Sequence, residues 1–194
     1  MHSLSGGLVL GYHGCDAAVG ERLLAGDTFS ISENAWDWLG SGAYFWEANP
    51  KRGYDFAAEL KARKLRHNRV ASPFVVGAVI NLALCLDLTT KAGIEIVRDA
   101  HTRMMQIYEA AEKTPPLNDQ SLLKRNLDRA VVEQVHLVRE EEGAPPIDTV
   151  RGVFIEGDAL YPGAGFHEKT HIQIAVRNLD CVKGVFRVPK HLYE

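Results

Sequence analysis

The pattern of apolar and polar positions divides the chain into two β-rich ends and a helical middle. The first end contains, in order, a strand at 8–14, a short helix at 17–26, a strand at about 42–46, a helix over 49–68 and a β-rich run at 73–88. Gly26 is typical of a residue that closes a helix, and Pro50 after Asn49 fits a first helical position. The run at 73–88 is long enough for a buried strand followed by a turn.

The middle of the chain has helical periodicity instead. Apolar or aromatic side chains recur at the spacing of a helix face at Ile94, Val97, His101, Met104, Met105 and Tyr108. The run 121–142 repeats this pattern with charges on its other face, and a Pro-containing loop at 112–119 separates the two helices. Three short β-type runs follow at 149–157, 170–178 and 181–189. This order predicts an α+β fold, a single domain over 1–194 with a helical insertion at about 90–142.

Composition limits the class of protein. With 194 residues, 46% of them hydrophobic, the chain can bury a core of its own. A formal net charge of −3 gives no overall basic surface, so nucleic-acid binding would need a local patch. Cys15, Cys85 and Cys181 are too widely spaced to indicate a disulfide framework or a zinc knuckle. No run approaches the roughly 18–20 apolar residues of a membrane span, so we expect a cytoplasmic protein without a membrane partner.

The segment HEKTH at 167–171 matches the H-E-x-x-H signature of zinc proteases. His167 and His171 can share a metal only on a helix, where residues four apart lie on one face. Pro162, Gly163 and Gly165 precede the segment, and the alternating run IQIAV follows it. In a strand the two histidines would lie about 13 Å apart, at ~3.3 Å per residue. We therefore expect a loop entering a strand, and no metal.

Three separated segments carry a resemblance to a known family. They are YHG at 12–14, GSGAYFWEANPKRGYDFA at 40–57 and QIAVRNLDCVKGVFRV at 173–188. In this order they resemble the His-Tyr-Glu ADP-ribosyltransferases, the group that includes diphtheria toxin and the poly(ADP-ribose) polymerases. The run at 75–89 is similar to the polymerases' strand that follows the helix. The resemblance implies an ADP-ribosyltransferase-like split β-sheet core; the helical middle has no counterpart in it.

The resemblance assigns roles to individual residues. His13 takes the place of the histidine that hydrogen-bonds the adenosine ribose of NAD, and the backbone of Gly14 would hold the nicotinamide amide. Tyr44 takes the place of the tyrosine against the nicotinamide ring, and Tyr54 resembles the second aromatic of that sandwich. The family's glutamate opens the late strand, where this chain has Gln173. Glu156, on the preceding β-type run, is the nearest carboxylate that would substitute for it.

The implied reaction is cleavage of NAD at the nicotinamide–ribose bond, with NAD as co-substrate and no metal. Positive charge builds on the ribose, as in other glycoside chemistry, and aromatic faces attract the cationic pyridinium. Glutamine lacks the charge of glutamate, and charge-assisted hydrogen bonds are roughly twice as strong as neutral ones. The resemblance therefore implies transfer of a single ADP-ribose unit. An NAD glycohydrolase and a catalytically silent NAD- or ADP-ribose-binding module remain alternatives.

The acceptor is left open between a protein and a nucleic acid. Basic residues at 61–69 can guide RNA or DNA, although such a helix face is usually only solvated. Trp36 and Trp38 belong to a loop segment that forms part of an acceptor- or donor-binding loop, or else they are buried aromatic anchors beneath a loop. The insertion at 90–142 can be a lid, a substrate platform or a docking face. By analogy with small stand-alone transferases, a bacterial toxin or phage-defence effector with an antitoxin or regulatory partner is expected.

Overall fold

The computed structural model describes residues 7–63 and 70–194, which form an α+β fold with a seven-stranded mixed sheet and four helices. The strands are β1 (Leu8–Asp16), β2 (Ala43–Glu47), β3 (Pro73–Asn81), β4 (Cys85–Asp87), β5 (Thr149–Phe154), β6 (His171–Val176) and β7 (Val182–Arg187). The helices are α1 (Ala17–Leu24), α2 (Pro50–Arg63), α3 (Lys91–Ala110) and α4 (Asn126–Glu141). None of the helices in these two ranges is long and apolar enough to cross a membrane.

The strand order in the sheet is β4-β5-β6-β2-β1-β3-β7, and only the β4–β5 pair is parallel. The predicted strands and helices at both ends are confirmed, apart from shifts of a few residues at their bounds. Residues 64–68 of the helix predicted over 49–68 lie outside the described residues. The run at 73–88 is a partial exception, because it forms two strands rather than one strand and a turn. Ala83, between them, has a left-handed backbone with φ of 47°, which ends β3 before β4 joins the far edge of the sheet.

Each face of the sheet has its own core. One face carries a cluster that includes Phe45 and Ile80, with Leu23 of α1 packed on it. On the other face α2 covers β1 and β3, while α3 and α4 cover the β5–β6 half. Val132 of α4 shares a cluster with Val150 of β5. The helical insertion is therefore integrated into the core.

The start of α4 differs from the prediction. The periodic run begins at residue 121, but the helix begins at Asn126. The Asp119 carboxylate accepts from the Leu123 N–H at 3.0 Å, and Asn118 Oδ1 accepts from the Leu127 N–H at 2.9 Å. These side chains satisfy backbone donors that a longer helix would otherwise have engaged.

Candidate functional site

The sheet opens between its two central strands. β1 pairs with β3 along its whole length, from Leu8 to Asp16. With β2 it forms only two pairs, Gly11 with Glu47 and Tyr12 with Trp46. Continuing that register would place Gly14 opposite Tyr44, but no such pair forms. We call the space between Gly14 and Tyr44 the strand gap.

The backbone of Gly14 points into the strand gap. In an antiparallel ladder alternate residues direct both backbone groups to the same neighbour. The Ala48 N–H donates to the Leu10 carbonyl at 2.9 Å, so Leu10 and, two and four residues on, Tyr12 and Gly14 face β2. No strand pair formed by the described residues occupies the Gly14 N–H and C=O. The gap thus offers one backbone donor, the Gly14 N–H, and one backbone acceptor, the C=O of the same residue.

Only glycine fits at position 14. A Cβ there would lie 1.9 Å from the Gly53 carbonyl oxygen and 3.4 Å from the Ala57 nitrogen. Helix α2 therefore packs directly on β1 beside the strand gap. Its residues Gly53 and Ala57 are both buried against the sheet.

His13 lines the gap from the other face of the sheet. Its Nδ1 lies 2.8 Å from the Tyr44 carbonyl oxygen, and its ring packs against Phe29 and Phe45 with centroids 5.3 and 5.7 Å away. Burial lowers the pKa of His13, although the hydrogen bond to Tyr44 opposes this. Because the carbonyl can only accept, Nδ1 carries the proton, and Nε2 of the neutral ring is a hydrogen-bond acceptor.

Tyr44 is fixed by its hydroxyl. The hydroxyl donates to the Gly40 carbonyl at 2.9 Å and accepts from the Leu39 N–H at 3.1 Å. Burial raises the pKa of Tyr44 well above its ordinary value, so the phenol stays neutral. The half-buried ring packs on the cluster that α3 and α4 cover. Its position is set by the loop before β2, independently of any ligand.

Gln173 lies on the same face of the sheet as Tyr44. It pairs with Trp46, and Tyr44 pairs with Ala175, so Tyr44 and Gln173 are diagonal neighbours on adjacent strands. Such neighbours are roughly 7–8 Å apart. The Trp38 indole N–H donates to Gln173 Oε1 at 2.6 Å. The structure thus brings Gly14, Tyr44 and Gln173 to one face, with His13 behind the gap.

Tyr54 packs beside the C-terminal segment. Its ring lies 4.9 Å from that of Tyr193, in a cluster with Tyr12 and Val75. Because Gly53 faces the sheet, the next residue on α2 turns towards β3 and the C-terminus. No ring–ring contact joins Tyr54 to Tyr44 in the described part of the chain.

Glu156 neutralises a buried cation. Its carboxylate lies 2.7 Å from Arg52 Nη2, and both side chains are largely buried, at 13% and 8% exposure. Glu59 and Lys169 complete the network, at 3.6 Å from Arg52 and 3.9 Å from Glu156. The sequence gives no signal for this burial, since Arg52 follows a lysine at a helix start and looks solvated.

The HEKTH segment is a loop followed by the first residue of β6, as expected. His167 Nδ1 lies 3.0 Å from the Gly157 carbonyl, and His171 Nδ1 lies 2.5 Å from that of Lys169. Burial lowers the pKa of His171. Across residues 7–63 and 70–194, no group of three or more His, Cys, Asp or Glu side chains is arranged to hold a metal ion.

The acceptor candidates are only partly described. Lys61 and Arg63 are exposed at the end of α2, whereas Lys64, Arg66, His67 and Arg69 of the basic run lie outside the described residues. Trp36 is 48% exposed and Trp38 only 5%. These two neighbouring tryptophans therefore have different roles, one at the surface and one in the core.

Sequence reasoning missed the contacts between the insertion and the loop before β2. Glu133 of α4 accepts from the Ser41 N–H at 2.8 Å, and Arg129 donates to the Asn34 carbonyl at 2.5 Å. From the sequence, Glu133 and Arg129 are predicted to lie on an ordinary charged, solvent-exposed helix face. Their partners in the loop before β2 are apparent only from the tertiary structure. Comparison with known proteins adds no further assignment, since no family model, curated protein or solved structure matches the chain.

Proposed function

We propose that the protein is an NAD-dependent mono-ADP-ribosyltransferase with a split sheet of the ADP-ribosyltransferase type. The observation that carries this is the strand gap, where the backbone N–H and C=O of Gly14 face Tyr44 without a strand partner. A primary carboxamide such as that of nicotinamide presents one acceptor and two donors. One backbone donor and one backbone acceptor match it.

The electrostatics of the gap suit a reaction that needs no acid. The nicotinamide of NAD is cationic before cleavage, so it leaves with the electron pair of the C1′–N bond and takes no proton. His13 and Tyr44 are both neutral and hold their protons in internal hydrogen bonds. His13 Nε2 can accept from a ribose hydroxyl, and the Tyr44 ring offers a face for the pyridinium. The acceptor's nucleophilic atom then bonds to C1′ and releases its proton to solvent.

Gln173 supports transfer of a single unit over chain elongation. It lies beside Tyr44 on the same face, where a carboxylate would stabilise the charged ribose more strongly. Glu156 is a weak alternative for this role, because its carboxylate already balances the buried Arg52. Using it for chemistry would leave Arg52 with only the more distant Glu59 carboxylate, 3.6 Å away.

The test uses the purified protein, a cell lysate and NAD labelled on its adenosine side, with free nicotinamide measured in parallel. We expect label on macromolecules in the wild type and none with Tyr44→Ala. Tyr161→Ala, the same change at an exposed tyrosine outside the strand gap, is the matched control and should label like the wild type. Treatment with protease, DNase and RNase then identifies the acceptor class.

Other outcomes select other functions. Nicotinamide release without labelled macromolecules identifies an NAD glycohydrolase. NAD binding in equilibrium dialysis without release identifies a silent binding module, in which Gln173 reflects lost chemistry. If the protein neither binds NAD nor releases nicotinamide, the proposal is contradicted.

A further inference from the structure

Trp38 fixes the orientation of the Gln173 amide. The indole nitrogen is a donor only, so the Gln173 atom 2.6 Å from it must be the carbonyl oxygen. The amide nitrogen therefore points away from Trp38. A carboxylate at this position would have no such orientation, because both of its oxygens accept.

Trp38 is itself held by packing. The Arg125 guanidinium lies 4.3 Å from its ring centroid, and the Phe154 ring lies 5.3 Å away. A Cβ on Gly152 would come within 2.8 Å of Trp38 Cη2, so the indole contacts β5 closely at a glycine. Since Gly152 pairs with Gln173, this places the indole next to Gln173. The position of Trp38 thus does not depend on the hydrogen bond that it donates.

The Gln173 amide nitrogen is left to face a ligand. Gln173 is only partly buried, and its Nε2 forms no hydrogen bond with any described residue. With Oε1 engaged by Trp38, the group that Gln173 has free for a ligand is an N–H donor. This reverses the polarity that a glutamate would have there.

We propose that Trp38 is a positioning residue that makes Gln173 a hydrogen-bond donor, so that the ligand atom bound at this position is an acceptor oxygen. The assignment of this oxygen to the ribose–phosphate part of NAD rests on the proposed function. The insertion contributes through Arg125, which packs on the indole from the start of α4.

The first test needs no NAD and so remains decisive if the proposed function fails. In the ¹⁵N–¹H spectrum the Trp38 indole N–H is compared between the wild type and Gln173→Met, and Trp38→Phe identifies this resonance among those of the three tryptophans. We expect the resonance to move upfield and its solvent exchange to rise about 2- to 10-fold, as for loss of one neutral hydrogen bond. An unchanged Trp38 resonance overturns the proposal.

The second test measures NAD binding and turnover in Trp38→Phe, with Phe154→Leu as the control for packing loss alone. Freed from the indole, the Gln173 amide can rotate, so we expect KM for NAD to change several-fold in Trp38→Phe beyond the change in Phe154→Leu. In a Gln173→Glu background the excess should disappear, because a carboxylate presents an oxygen either way. If Trp38→Phe changes the KM for NAD beyond Phe154→Leu by the same factor with Gln173 and with Gln173→Glu, the proposal is overturned.

Discussion

The Gly14 position joins the backbone of the candidate site to helix packing. Gly14→Ala would place a methyl group 1.9 Å from the Gly53 carbonyl, which is rigid helix backbone. We expect the free energy of unfolding to fall by about 1–3 kcal/mol, the usual cost of overpacking. Urea unfolding followed by circular dichroism measures it. Gly184→Ala in β7 is the control, since a Cβ there meets nothing within 4 Å. Equal losses in both variants would contradict the close packing of α2 on β1.

The Gln173 side chain limits the chemistry that the site can support. Gln173→Glu keeps an acceptor for Trp38 and adds a negative charge beside Tyr44. Charge-assisted hydrogen bonds exceed neutral ones by about 1 kcal/mol or more, so at saturating NAD we expect nicotinamide release to rise roughly 5- to 10-fold. The KM for NAD should rise at the same time, because the amide donor that meets the ligand oxygen is lost. Chromatography of free nicotinamide measures it, with Gln173→Met as the inactive control. Release no faster than in the wild type would argue against a role for residue 173 in cleavage.

At the scale of elements, the glutamate at position 133 links the insertion to the loop before β2. Its carboxylate accepts from the Ser41 N–H at 2.8 Å and pairs with Arg177 at 3.7 Å. In Glu133→Ala we expect faster hydrogen exchange at Ser41 and a loss of about 1–3 kcal/mol in stability, because a charged acceptor is removed. Glu140→Ala, on the exposed side of the same helix, is the matched control. Similar exchange in both variants would show that the loop does not depend on α4.

The buried pair of Arg52 and Glu156 links α2 to the segment after β5. Glu156→Ala leaves the buried guanidinium with only the Glu59 carboxylate, 3.6 Å away, so we expect a loss below the about 3–5 kcal/mol typical of a buried charge with no partner. Replacing both residues by Met removes the charge together with its partner, so we expect much of that stability to return. Thermal unfolding of the single and double variants measures this. If the double variant is no more stable than Glu156→Ala, the ion pair is not the cause.

Elements were more predictable from the sequence than their contacts. The segment at 171–176 was predictable as a strand because its local alternation agrees with its buried position in the sheet. The late start of α4 was not, because it depends on side chains of Asn118 and Asp119 that replace helical hydrogen bonds. The Trp38–Gln173 bond spans 135 positions, and no local pattern indicates it. The strand gap is likewise a matter of register, which the sequence alone does not define.

For the whole molecule, buried histidines contribute to the way stability depends on pH. Burial lowers the pKa of His136 from 6.5 to about 4, and it lowers the pKa values of His13 and His171 as well. The Nε2 atoms of His136 and His171 are buried without a hydrogen-bond partner among the described residues. All three rings are therefore neutral in the fold, whereas an unfolded histidine takes up a proton near pH 6.5.

The unfolded chain thus binds more protons than the folded one below about pH 6.5, and stability must fall as the pH falls. His136 alone contributes on the order of 3 kcal/mol across the window from pH 6.5 to 4, at about 1.4 kcal/mol per pKa unit. The histidine contribution is complete above pH 6.5. Urea unfolding at pH 7.5, 5.5 and 4.5 should show the decline, and His136→Gln should flatten it. His191→Gln, at an exposed position, should leave it unchanged. If the stability of the wild type does not change over this range, the pKa values of these histidines are the same in the folded and unfolded chains.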